Sequence, residues 1–144
     1  MKKIALYLLL IIGLVSCKGE DGRDGVGANI VTRQIVIHQS DWRLQGEPFQ
    51  LGSYYYATVA IPELTPYVMS QGIKLAYIEP ADGVQVGIPY VVHKGEEFSG
   101  KELLWTSTYD CEYEVGYVTF IVTYSDFDTW KSPDTEYFNV LLTW

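Results

Sequence analysis

Val115-Gly116-Tyr117-Val118-Thr119-Phe120-Ile121-Val122-Thr123-Tyr124 is the stretch on which the fold turns. Val118, Phe120, Val122 and Tyr124 occupy alternate positions, and a period of two is what a strand with one buried face requires. These four therefore read as inward and Tyr117 as outward. The alternation continues on both sides. Thr135 to Trp144 carries Phe138, Val140, Leu142 and Trp144 on one side, and Glu102 to Asp110 begins a run in which Leu103, Trp105, Ser107, Tyr109 and Cys111 share the more apolar side.

Four more runs precede these. Ile30 to His38 is one, with Ile35 and Ile37 on one side and Ile30 and Val36 on the other. Tyr54 to Ile61 follows, with Tyr55, Ala57, Val59 and Ile61 inward. Ile73 to Glu79 and Val84 to His93 complete the set, the latter marked as an edge or bulged strand by Pro89. Turn signals separate them at Pro62, at Pro80-Ala81-Asp82-Gly83, over Lys94 to Gly100 and over Ser125 to Asp134. One short helix is expected, capped by Thr65, with Pro66 at its first position and an end near Gly72. Seven strands over residues 30–144 predict an all-β fold, an antiparallel sandwich of the immunoglobulin-like kind. A small closed barrel has the same alternation and stays open as the second architecture.

Composition agrees. A length of 144 residues predicts one domain, and no internal repeat is visible. Hydrophobic residues at 48% exclude a disordered chain, and aromatic residues at 15%, with 12 Tyr and 4 Trp, fit strands better than a helical bundle.

The N-terminal segment reads separately. Lys2 and Lys3 precede Ile4 to Val15, apolar except for Gly13, and the run is shorter than the roughly 20 residues of a membrane-spanning helix. That is a signal-peptide layout over residues 1–16. Its end, Leu14-Val15-Ser16-Cys17, resembles the lipobox of bacterial lipoproteins, which implies acylation of the Cys17 sulfur and cleavage just before it. An ordinary secretory signal containing a Cys is the alternative, but no small-residue A-x-A site stands near Ser16. Removing residues 1–16 deletes Lys2 and Lys3 and no acid, so the net charge of −8 becomes −10. An acidic chain without a Lys/Arg cluster is not a nucleic-acid binder. Nor would it adhere to anionic head groups, so acyl chains on Cys17 would have to supply the membrane attachment.

Residues 17–29, with Gly19, Gly22 and Gly25 and no apolar periodicity, read as a lipidated flexible tether. The lipobox, this acidic Gly-x-x-Gly run and the Tyr-rich remainder together resemble outer-membrane lipoproteins of Bacteroidota-type bacteria. The resemblance implies a lipid anchor in the outer membrane of the cell envelope. Glu20 and Asp21 are similar to the signal that sends such proteins to the outer face, while Lys18 departs from its Ser-Asp-Asp form. Periplasmic and surface-exposed placements both stay open. The resemblance supplies no catalytic residues.

With Cys17 acylated, Cys111 has no partner for an intramolecular disulfide, and its strand parity makes it a small buried hydrophobe. Residues for catalysis are sparse. His38 and His93 are isolated, and there is no His-x-x-x-His, Cys-x-x-Cys or Gly-x-Ser-x-Gly. Asp110, Glu112 and Glu114 alternate on one strand face, where a solvated surface competes with a glycosidase carboxylate pair. Asp126, Asp128, Asp134 and Glu136 flank a loop that has the acids for calcium but not the EF-hand spacing. The expectation is a non-enzyme without metal or cofactor. Trp105 and Trp144 belong to core faces, whereas Trp42 and Trp130 stand among polar residues. Loop tryptophans stack on sugars or enter a protein partner's pockets, or they fold back to cap the sandwich. Trp42 and Trp130 are thus the ligand-binding candidates. The functional expectation is a structural or protein-interaction lipoprotein, with carbohydrate binding as the alternative.

Overall fold

The computed structural model describes residues 27–144, so the expected signal peptide, Cys17 and the expected tether up to residue 26 lie outside the described residues. The described chain forms nine strands: β1 (Ile30–Ile37), β2 (Arg43–Gln45), β3 (Tyr54–Ala60), β4 (Ile73–Ala81), β5 (Val84–Gly87), β6 (Tyr90–Phe98), β7 (Lys101–Glu114), β8 (Tyr117–Tyr124) and β9 (Glu136–Thr143). One α-helix, α1 (Pro66–Gln71), lies between β3 and β4.

Two sheets result, one in the order β1-β9-β4-β5 and the other in the order β2-β3-β8-β7-β6, with every pair antiparallel. Neither sheet closes on itself, which settles sandwich against barrel. The order has its own character. The last strand, β9, lies between β1 and β4 in the middle of its sheet, whereas the ABED/CFG order of an immunoglobulin domain leaves the last strand at an edge.

Strand parity places the core as the alternation predicts. Val118, Phe120 and Val122 of β8 face Phe138, Val140 and Leu142 of β9, all almost without exposure, and Tyr55, Ala57, Ile37, Ala76 and Ile78 extend the layer. Each fully buried side chain of this size contributes about 1.5–3 kcal/mol from apolar area removed from water. Trp105 and Trp144 are half-buried against this core rather than inside it. The helix forms as expected: Thr65 Oγ1 accepts from Val68 N at 3.2 Å, and Gly72 N donates to Val68 O at 2.9 Å. A Cβ at Gly72 would stand 2.7 Å from that same carbonyl, so glycine is required there for space.

Three elements depart from the sequence reading of seven strands. The expected loop Lys94 to Gly100 is mostly strand: β6 runs on to Phe98 and only Ser99 and Gly100 turn, with φ of 52° and 71°. Both positive values are what a two-residue type I′ hairpin needs. The expected single strand Val84 to His93 divides at the cis Ile88–Pro89 bond, β5 joining the first sheet and β6 the second. Each half is an edge, in keeping with proline's missing N–H. Finally, β2 pairs with β3 through Arg43, Leu44 and Gln45, too short a segment to show a period.

The two ends of the sandwich differ. Asn29 N donates to Trp144 O at 2.9 Å and Trp144 N to Asn29 O at 3.1 Å, so the chain enters the domain beside its last residue. At the opposite end Ile37 pairs with Glu136, where the long β8–β9 connection arrives. Eight residues of β1 separate these ends by about 26 Å.

A candidate binding hollow at the end remote from Asn29

The inward face of the β6–β7 hairpin continues past the end of the other sheet. Lys94 pairs with Trp105 and Glu96 with Leu103, and all four side chains share the parity of core residues Tyr109 and Ser107. With no strand opposite, this face is met by residues 126–134 of the β8–β9 connection. Between them lies a hollow of about 190 Å³, with Trp105, Leu103, Tyr124 and Trp130 as its apolar walls and Asp126, Asp128, Asp134, Glu96, Lys94 and Lys131 among its polar ones.

The connection is held in place from below. Tyr55 Oη donates to Thr129 O at 2.5 Å, Phe49 N donates to Phe127 O at 2.7 Å, and Trp42 Nε1 donates to Asp134 O at 3.2 Å. Within the connection Asp126 Oδ1 accepts from Asp128 N at 3.1 Å and Asp128 Oδ1 accepts from Trp130 N at 3.2 Å. Thr129 is fully buried while its neighbour Trp130 is 76% exposed. A pinned backbone therefore presents the indole to solvent, a costly placement for so large an apolar ring.

The two candidate tryptophans thus part. Trp42 is 6% exposed, packs edge-on against Phe138 at 6.4 Å between ring centroids, and supports the loop from beneath. It caps the sandwich and is no part of an accessible binding surface. Trp130 alone of the pair remains a ligand-facing residue. Trp105, expected in the core, supplies a wall of the hollow instead, and Lys94 and Glu96, expected in a loop, reach it from a strand.

Behind the hollow a polar chain crosses between the sheets. Lys94 Nζ donates to Tyr109 Oη at 3.1 Å, and Tyr109 Oη donates to Glu136 Oε1 at 2.7 Å. Burial and the Glu136 carboxylate hold the Tyr109 hydroxyl protonated far above the ordinary tyrosine range. Burial also pushes Glu136 above the ordinary carboxylate range, against the pull of Tyr109 and Lys94. This chain fixes Lys94 at the back of the site.

The other candidate groups fall elsewhere. Asp110, Glu112 and Glu114 are exposed on the outer face of the second sheet, as a solvated acidic row. Asp126, Asp128, Asp134 and Glu136 do not make a calcium cage: among the described residues no three His, Cys, Asp or Glu side chains gather closely enough to hold a metal ion. His93 Nδ1 lies 2.9 Å from Thr106 Oγ1 on the exposed face, away from the hollow. Among the described residues no helix is long and apolar enough to cross a membrane. The sequence matches no protein-family profile, and neither a curated protein nor a solved structure matches it.

Proposed function

We propose that this is a lipoprotein of the cell envelope, anchored in the outer membrane by acyl chains on Cys17, whose sandwich is a protein-interaction module engaging its partner through the Trp130 hollow. The observation that carries this is placement. Asn29, where the tether ends, and Trp130 lie at opposite ends of the domain. A chain fixed to a membrane through its N-terminus would hold the hollow away from the head groups, about 26 Å farther out along β1. The indole offers what an interaction hot spot uses, a large rigid apolar surface beside a concavity.

Carbohydrate binding is the second reading, favoured by one specific observation. Trp130 stands beside carboxylates of Asp126, Asp128 and Asp134, and an exposed aromatic face with acceptors around it is chemistry suited to a sugar ring and its hydroxyls. Site-specific photocrosslinking separates the two in cells. A crosslinker at position 130 is expected to capture a discrete envelope protein, while one at Thr58, on the far face of the second sheet, does not. Equal labelling from both positions would remove the protein-interaction reading. Binding on a glycan array that is abolished by Trp130→Ala would replace it with the carbohydrate one.

A further inference from the structure

The hollow is unevenly charged, and the domain does not neutralise it. Glu96, Asp126, Asp128 and Asp134 line it together with two lysines, Lys94 and Lys131. Lys94 is engaged at the back, where its Nζ donates to Tyr109 Oη and that hydroxyl donates to the Glu136 carboxylate. Four carboxylates are left facing the single ammonium of Lys131. Asp126 and Asp128 each give one oxygen to a backbone N–H of the connection, at 3.1 and 3.2 Å. Their second oxygens, and the carboxylates of Glu96 and Asp134, accept no hydrogen bond from the described residues, whose one ion pair lies elsewhere, between Arg33 and Glu63. The walls beside these charges are aromatic, formed by Trp105, Tyr124 and the 76% exposed Trp130. Size narrows the occupant further: about 190 Å³ holds a single side chain, whereas sites for drug-sized ligands run to about 300–1,000 Å³.

We infer that the hollow takes an arginine side chain of the protein partner, its guanidinium against the aromatic walls and its N–H groups bonded by the surrounding carboxylates. This rests on the reading of the hollow as a protein-interaction site and names what that partner presents. Charge complementarity selects the cation. An acidic side chain would meet four like charges, and an uncharged one would leave them unanswered as water is displaced. The chain as a whole carries −8, so its field also steers a basic partner toward it. The aromatic walls select arginine over lysine. A guanidinium is planar, stacks on an aromatic face, sheds water more readily than an ammonium and carries five N–H groups in a fork that matches carboxylates. Lys131 opposes the incoming charge and limits its affinity.

Nuclear magnetic resonance on the full-length protein in detergent micelles tests this. The probe is Nα-acetyl-arginine methylamide, and the control is its citrulline counterpart, which has the same shape without the charge. The arginine probe is expected to shift the Trp130 indole N–H resonance, identified by its loss in Trp130→Phe, saturably at millimolar concentration. The citrulline probe should bind at least about tenfold more weakly, because it lacks the cation that the walls and carboxylates recognise. Glu96→Gln combined with Asp134→Asn removes two charges and no intramolecular side-chain hydrogen bond, and should weaken the arginine probe by about threefold or more. Lys131→Gln should tighten it, a gain that damage to the fold would not produce. Equal binding of the two probes, or no shift from the arginine probe, overturns the inference. Photocrosslinking from position 130 in cells separates its failure from that of the interaction reading. A protein captured equally with and without the Glu96→Gln, Asp134→Asn pair overturns the arginine and leaves the interaction; no capture at all removes the interaction itself.

Discussion

The rings of Phe120 and Phe138 stack across the sandwich, centroids 4.1 Å apart and planes within 25° of parallel, one from the centre of each sheet. Both are at most 2% exposed. Because β8 and β9 are the middle strands of their sheets, this contact joins the two layers where neither can move aside. Phe120→Ala or Phe138→Ala should cost about 3–5 kcal/mol, the range for a large aromatic deleted from a rigid core. Urea unfolding followed by tryptophan fluorescence checks it, and a midpoint shift worth less than about 1 kcal/mol would mean the layers are not held together here.

Ser107 presents the opposite case. Its hydroxyl is completely buried and has no hydrogen-bond partner among the described residues. A buried unpaired hydroxyl is unfavourable, so Ser107→Ala should leave stability unchanged or raise it by up to about 1 kcal/mol. A clear loss in the same unfolding experiment would reveal an interaction of the hydroxyl that the geometry does not contain.

Cys111 is half-buried on the core side of β7, and burial, with Asp110 and Glu112 adding to it, raises its thiol above the ordinary range. Both effects suppress the thiolate that reacts. A bulky thiol reagent should label it slowly in the native protein and rapidly after denaturation. Fast native labelling would place the thiol on the outer face.

Alkaline pH should unfold the domain steeply. Burial holds Tyr109, Tyr113 and Tyr124 protonated well above the tyrosine range. In the unfolded chain they ionise near pH 10. Above that pH the unfolded state has lost protons the folded state keeps, so stability falls as pH rises, by up to about 1.4 kcal/mol per pH unit for each such tyrosine. Glu136 acts in the same direction at low pH: its raised folded-state pKa makes stability fall as pH rises from the ordinary carboxylate range through the folded value. Glu136→Gln should flatten that acidic limb, and it should also soften the alkaline one, because the carboxylate helps to hold the Tyr109 hydroxyl protonated. An acidic limb that Glu136→Gln leaves unchanged, or stability that climbs above about pH 10, would contradict the buried placement of these groups.

Much of this was legible in the sequence, and the misses have physical causes. Val118, Phe120, Val122, Phe138, Val140 and Leu142 were readable because each lies in a strand with one dry face, where period two is enforced by burial. The hollow was not. Lys94 and Glu96 break the apolar pattern because their inward-pointing face overhangs the opposite sheet and meets solvent and a loop. Gly95 within the same strand adds a false turn signal. Trp42 and Trp130 look alike in sequence, each among polar neighbours. What separates them is tertiary: the Trp42 indole reaches Asp134 across 92 positions, while Trp130 follows a buried threonine that turns it outward.

A lipid-anchored chain that carries its hollow away from the membrane is tested most directly at the N-terminus of the native protein. Mass spectrometry of the N-terminal peptide purified from membranes should find a chain beginning at Cys17, with acyl groups on the cysteine and loss of both the modification and the cleavage in Cys17→Ala. A native peptide that begins elsewhere, or an unmodified Cys17 in protein recovered from the soluble fraction, would contradict it.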